Sequence, residues 1–372
     1  MKIALIIFRL GPSHGSILQT YALHKVLTDL GHNVTIIDRQ RPIKFISIIV
    51  ALKRVLLSIK NGNLEIGDFR LGEYPTLVMN PFKAFIIKYL GQHTLSIHKD
   101  SELKRIGASN DFDAYVVGSD QTWRPKYVYD VYNFYLDFVP LERKVKRIAY
   151  SASFGTSEWE YNEEQELRCK ELAQRFDEIS VREDSGVKLC KEHLGTVAKH
   201  VLDPTMLLKA DEYRALLENR HRIKNKYVGY NFLDDSDGKI KIVDDVCSIL
   251  GTEKYSIISS ESKRKSKYMT MPTIEEWLQG IDDASFVIVD SFHATVFSII
   301  FHTNFLTIAN VGRGLSRFTS LLGALGLQDR LITEDEQIDA GKVTFPINWD
   351  EVDRRLEVLR EQSMDFLTSN LN

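Results

Sequence analysis

Asp290, Ser291 and His293 stand together between two apolar stretches, Phe286–Val289 before them and the run ending at Phe301 after them. A buried strand turning into a helix would carry this group at the strand's carboxyl end. Ligands of open α/β sheets collect there, and the free N–H groups of a helix start face anions. One imidazole beside a carboxylate and a hydroxyl can move a proton near neutrality or donate to a phosphate. The same residues also suit a structural task, with Asp290 and Ser291 capping the helix and His293 packing on its first turn.

Four other places gather suitable groups. In HGSILQ, beginning at His14, Gly15 permits close backbone approach while Ser16 and Gln19 can bond a polar ligand. In VVGSDQTWRP, an apolar strand ends in Ser119, Asp120, Gln121 and Trp123, a set of hydroxyl, carboxylate, amide and indole that suits a sugar. In SVREDSG, Arg182 offers a planar fork for a carboxylate or phosphate, with pairing to Glu183 or Asp184 as the alternative. In VGRGLSRF, Arg313 and Arg317 flank Gly314 and Ser316 at a helix start, which reads as an anion pocket or as solvated surface arginines. The short LDPT segment from Leu202 to Thr205 reads as a structural turn.

Alternating strands and helices must position these groups. Strands are expected at 2–8, 33–37, 114–117, 147–150 and 178–181, then at 227–232, 255–258, 286–289 and 305–309. Helices are expected at 16–30, 163–175, 240–250, 274–281 and 350–367. Two such sets predict an α/β protein of two Rossmann-like domains facing a cleft. The expected units are 1–175, 176–345 and a terminal helix over 346–372 that packs back on the first. Lys44–Lys60 departs from the pattern, with four basic residues, no acidic one and an apolar remainder. It suits a helix at an anionic membrane surface, extended by Phe82–Leu90, or a helix packed over the cleft or against a second subunit.

The chain has 372 residues, 44% hydrophobic and 27% charged, enough for two ordinary domains. A net charge of −3 argues against a nucleic-acid partner. Cys169, Cys190 and Cys247 are scattered and form no metal or disulfide framework, which fits a reducing compartment. MKIALIIF passes straight into a Gly-rich turn and reads as a strand rather than a signal peptide, so the expected location is cytoplasmic. No GxGxxG follows the first strand, and no Walker loop or HExxH occurs.

Taken in order, HGSILQTYALHKVLTDLGHNVTIID, VVGSDQTW, AYSASFG, SVREDSG, LDPT, DSFHATVFSIIF and GRGLSRFTSLL resemble the polysaccharide pyruvyl transferase family over most of the chain. The resemblance implies a GT-B-type arrangement, phosphoenolpyruvate as donor and a sugar diol as acceptor in the assembly of bacterial surface polysaccharide. The product would be a cyclic pyruvate ketal, with no cofactor or metal required. It places the donor in the C-terminal unit against Arg182, Asp290, Ser291, His293, Arg313 and Arg317. The acceptor falls in the N-terminal unit against His14, Gly15, Ser16, Gln19, Ser119, Asp120, Gln121 and Trp123. His293 is then the expected acid or phosphate donor, with Asp290 to orient it. Asp120 is the expected base, and Arg182 and Arg317 the expected clamp. Many members carry Arg two residues before the motif histidine, where this chain has Ser291. The basic segment suggests a lipid-linked acceptor, such as a galactose-bearing oligosaccharide, at the inner membrane face; association of two copies is also expected. A nucleotide-sugar glycosyltransferase sharing the same cleft is the alternative reading, and a catalytically silent assembly subunit is the third.

Overall fold

Apolar runs with no polar interruption become strands covered on both faces, because parallel sheets need helices on either side. The computed structural model describes residues 1–42, 44–45, 70–71, 76–217, 227–234, 236–258, 271–309 and 314–372. The first sheet holds β1 (Lys2–Ile7), β2 (Asn33–Arg39), β5 (Thr94–Ile97), β6 (Ala114–Val117), β7 (Lys146–Ala152), β8 (Glu178–Val181) and β9 (Ala198–His200). Its order is β5-β2-β1-β6-β7-β8-β9, and every pairing is parallel. Between β2 and β5 lies a two-stranded antiparallel ribbon, β3 (Lys44–Phe45) with β4 (Arg70–Leu71). The second sheet holds β10 (Tyr227–Asn231), β11 (Glu253–Ser256), β12 (Phe286–Val289), β13 (Asn304–Ile308) and β14 (Leu331–Ile332), in the order β11-β10-β12-β13-β14 and again parallel.

Two expectations change here. A boundary at 175/176 would cut β8 and β9 from the sheet to which they are bonded, so sheet membership moves the division beyond His200. Lys44 and Phe45 form a strand rather than a helix start, and residues 46–60 of the basic segment lie outside the described residues.

The helices that carry the site are α1 (His14–Asp29), α2 (Thr76–Tyr89), α3 (Asp237–Leu250), α4 (Ile274–Asp282), α5 (Phe292–Ile300), α6 (Ser316–Leu325) and α7 (Trp349–Asn370). Ser13 caps α1 through its side chain, Thr273 and Glu276 form a capping box on α4, and Gly326 ends α6 in the left-handed region. One apolar cluster runs from Ile17 and Phe82 of the first unit into Trp277 and Phe297 of the second. Trp277 is 2% exposed, and burial of such a side chain contributes roughly 1.5–3 kcal/mol. Phe82 and Phe85 of α2 are buried in this cluster, so that face packs over α1 and α4 and is not open to a membrane.

Helix α7 returns to the first unit. Ser363 accepts from the Leu202 amide at 3.0 Å, and Lys146 donates to the Asn370 carbonyl at 2.7 Å. Among the described residues no helix is long and apolar enough to cross a membrane.

Candidate active site

Strand ends from both sheets meet at α1 and α5. Ser291 caps α5, its Oγ accepting from the Ala294 amide at 3.3 Å, which sets His293 on the first turn. The imidazole lies directly against Gly15 at the start of α1. A Cβ built on Gly15 would stand 2.1 Å from His293 Nδ1, so only glycine allows this approach of the two units. His293 Nε2 is buried without a hydrogen-bond partner and lies 3.5 Å from Asp203 Oδ2.

Asp203 is the centre that the sequence reading passed over as a turn. Its Oδ1 accepts from the Thr205 amide at 3.0 Å and hydroxyl at 2.6 Å, which is the capping role that LDPT announces. Its Oδ2 accepts from Arg182 Nη1 at 2.8 Å and Ser119 Oγ at 3.4 Å, besides facing His293. The carboxylate side chain is fully buried. Burial works to raise its pKa, yet His293 and Arg182 together hold it well below the usual carboxylate range, so it remains ionised.

The two expected clamp residues separate in role. Arg317 lines the cavity described below. Burial, and then the like charge of Arg182, lower its pKa to about 10, which leaves it cationic at neutral pH. Gly314 holds its loop in place, since φ is +102° and a Cβ there would meet the Gly155 carbonyl oxygen at 1.6 Å. Arg182 does not line that cavity. Instead of pairing with Glu183 or Asp184, its guanidinium is bound to Asp203 and lies 3.5 Å from Asp120 Oδ1. The rings and charges still form one unit, because Phe292 has Arg182 at 4.7 Å and Arg317 at 5.6 Å from its centroid. Arg313 lies outside the described residues.

A cavity of about 360 Å³ opens between the units. His293, Arg317 and Asp120 line it, with His14, Gly15, Gln121, Asp290 and Ser291 also on its wall. Asp120 follows β6 in the left-handed region, with φ of 76°, a conformation that Asp tolerates better than most residues. Its backbone is fixed by a bridge to Ala152 and by the Ser153 amide, which donates to its carbonyl at 3.1 Å. Gln121 is held by Arg124 at 3.0 Å, and Arg124 is itself clamped by both oxygens of Glu160.

Several expected ligand groups are buried or bonded within the protein, with Ser16 Oγ and Gln19 Oε1 buried and unbonded. Trp123 is 0% exposed, stacks on Tyr135 at 4.7 Å and donates to the Phe134 carbonyl, so it is core rather than a sugar platform. Gln19 and Ser16 are buried within α1 and off the cavity wall, where the Gln19 amide donates to the Ser16 carbonyl and to Thr20. Ser119 is likewise buried, donating to Ser151 and Asp203. Asp290 reaches the wall, but its carboxylate is taken by Lys239 of α3 at 2.8 Å and by the Leu233 amide at 2.7 Å, so it does not orient His293. His14 donates from Nε2 to the Pro272 carbonyl at 2.9 Å and stacks on Trp277. Burial lowers its pKa to about 4, making it a neutral contact between the units.

Among the wall residues that were not anticipated, one carries an unbonded polar atom. Asn231, at the end of β10, is 2% exposed with its Oδ1 buried and unbonded. In sequence it is an ordinary strand-end polar residue after GY, with no motif around it. Among the described residues no group of three or more His, Cys, Asp or Glu is placed to hold a metal ion.

The arrangement brings an imidazole, a fixed guanidinium and a carboxylate around one cavity. The family model for polysaccharide pyruvyl transferase matches residues 14–310, and no curated protein matches the sequence. The structure of UDP-GlcNAc 2-epimerase from Neisseria meningitidis bound to UDP-GlcNAc is similar, with a TM-score of 0.50 at 9% identity, covering 100% of this chain and 99% of that one. A UDP-GlcNAc 2-epimerase from Methanocaldococcus jannaschii gives 0.49 at 13% identity, covering 97% and 93%. At such identity the first likeness shows the fold alone: two Rossmann-like domains facing a cleft.

Proposed function

The chain belongs to the polysaccharide pyruvyl transferase family, and from that premise we propose that it moves the pyruvyl carbon skeleton of phosphoenolpyruvate onto two hydroxyls of one sugar. The product is a cyclic ketal. Two C–O bonds form at the enol carbon, the methylene carbon gains a proton, and the bond from the enol carbon to the phosphate oxygen breaks. Of the two hydroxyl protons released, one balances the new methyl group and the other leaves with phosphate. The observation that carries this reading is the convergence of His293, Arg317 and Asp120 on one cavity, from separate strand ends.

In this scheme Arg317 meets the donor's carboxylate or phosphate with a charge that neutral pH does not remove. His293 delivers the proton or binds the departing phosphate, a contribution of roughly 10²–10⁴ in rate for acid–base assistance. Asp120 takes the hydroxyl proton. Arg182 acts through Asp203, holding a buried anion beside the imidazole, and Asn231 offers an acceptor atom to a hydroxyl. Ser291, standing where many relatives carry Arg, leaves donor charge compensation to Arg317.

The acceptor is a hexose such as galactose within a lipid-linked oligosaccharide, with the chain meeting the anionic inner membrane face. The Lys- and Arg-rich segment at 44–60 supports that placement. The test is incubation with phosphoenolpyruvate and a panel of free and lipid-linked galactosides, reading phosphate release together with the mass gained by the sugar. His293→Ala should abolish release while the protein stays folded. Transfer from UDP-sugars in place of phosphoenolpyruvate would overturn the reading in favour of a glycosyltransferase.

A further inference from the structure

Phe8 and Tyr127 line two spaces at once. One is the reaction cavity; the other is a shallow groove on the first unit that also carries Arg9, Arg39, Arg41 and Tyr129. The groove sits at the carboxyl ends of β1 and β2, the edge of a parallel sheet where ligands are usually held. Three guanidinium groups line it against one carboxylate, Asp130.

Those groups are built to different degrees. Arg39 is fixed, with a 2% exposed side chain, donating from Nε to Asn133 Oδ1 at 2.8 Å and from Nη1 to the Gln40 and Ile97 carbonyls. Its remaining nitrogen pairs with Asp100. It therefore acts as a positioned charge rather than a free fork, with Tyr129 at 5.6 Å from its centre. Arg9 is half-buried on the wall, and Arg41 is exposed, with no carboxylate on its guanidinium among the described residues. Asp130 is partly spent in bonding the Tyr132 amide, and burial raises its pKa above the ordinary carboxylate value.

We propose that this groove binds an oxyanion carried by the sugar acceptor, a phosphate ester or a sugar carboxylate, while the reacting hydroxyls lie past Phe8 and Tyr127 in the cavity. The inference rests on the reading of the first unit as the acceptor side. Arg41 grips the anion, Arg9 and Arg39 add positive charge beside it, and the tyrosines cover the intervening sugar. Neutral glycosides then reach the same reacting groups without this anchor.

Matched galactosides test this: a neutral methyl glycoside, the same sugar as a reducing-end phosphate ester, and a uronic acid carrying the carboxylate on the ring. Phosphate release from phosphoenolpyruvate gives kcat/KM for each, and calorimetry without donor gives binding of each. Exposed charge-assisted contacts predict a preference of roughly five- to tenfold for a charged acceptor, falling as salt is raised. Arg41→Ala and Arg9→Ala should each reduce the charged-to-neutral ratio toward one, whereas Arg41→Lys should keep most of it. Preference for the phosphate ester alone identifies an ester-linked acceptor, and preference for the uronic acid alone an acidic sugar. Equal kcat/KM and equal binding for charged and neutral glycosides, or a ratio untouched by either substitution, would overturn the proposal. Turnover of all three without preference refutes only the groove. Absence of turnover with any of them refutes the galactoside acceptor, and the calorimetric ratio then still decides the groove.

Discussion

Replacing Gly15 by alanine probes the contact between the units at its tightest point. The added Cβ would lie 2.1 Å from His293 Nδ1, 2.2 Å from Cγ and 2.6 Å from Cβ. Ordinary contact begins near 3.4 Å, so the ring must withdraw by about 1.3 Å. Misplacement of a catalytic group by about 1 Å can cost on the order of 10²-fold in rate. Stability moves much less. Alanine within a helix gains roughly 0.5–1 kcal/mol over glycine, which offsets part of an overpacking cost of about 1–3 kcal/mol. The expected outcome is therefore a Gly15→Ala protein that melts within a few degrees of wild type yet releases phosphate about a hundredfold more slowly. The double variant with His293→Gly isolates the cause, since it removes the Nδ1, Cγ and Cβ atoms that the new methyl group would meet. In that background, where release is already lost, Gly15→Ala should not lower the melting temperature. Wild-type turnover in Gly15→Ala, or a lower melting temperature in the double variant than in His293→Gly alone, would refute the claim that glycine serves His293 here.

Three more outcomes follow from the same geometry. Asp203→Asn leaves the buried Arg182 with only the more distant Asp120, at 3.5 Å, in place of its 2.8 Å partner, and breaking such a buried pair costs up to roughly 3–5 kcal/mol. Asp203 is held below the carboxylate range when folded, so its stabilisation is complete above the unfolded value near pH 4 and fades as pH falls below it; thermal melts across acid pH should lose that slope in the variant. His14, whose pKa burial lowers to about 4, carries the reverse burden: the unfolded chain takes up its proton first. Stability therefore drops as pH falls from about 6.5 toward 4, by about 3 kcal/mol for this group, and His14→Gln should remove that share in a denaturant titration series, leaving the part due to His24, which burial lowers likewise. Trp123→Phe should lower the melting temperature while leaving KM for the sugar unchanged, because the indole is core and not a platform.

Much of the fold was legible because its strands are buried on both faces. β6 and β12 begin and end where their apolar runs do, and the helices at Glu163–Ala173 and Ile274–Asp282 begin just after their capping residues, Asn162 and Thr273. β9 was not legible, since Ala-Lys-His has two exposed residues and no apolar alternation, and its place in the sheet comes from pairing with β8. In the site, His293, Asp120 and Arg317 followed from their positions at strand and helix ends. Trp123 misled because a polar atom near a strand end can be satisfied by a neighbouring carbonyl as easily as by a ligand, and Gln19 because it lies buried inside α1, off the cavity wall. Asp203 was hidden differently. One of its oxygens does the local work that Asp-Pro-Thr advertises, while the other meets Ser119, Arg182 and His293, groups from distant parts of the chain that no local pattern links.

The most direct test is a calorimetric titration of phosphoenolpyruvate into the wild-type protein and into Arg317→Ala. Saturable binding to wild type that weakens at least tenfold in Arg317→Ala is the predicted result. No binding to wild type, together with tight binding of UDP or GDP, would contradict it.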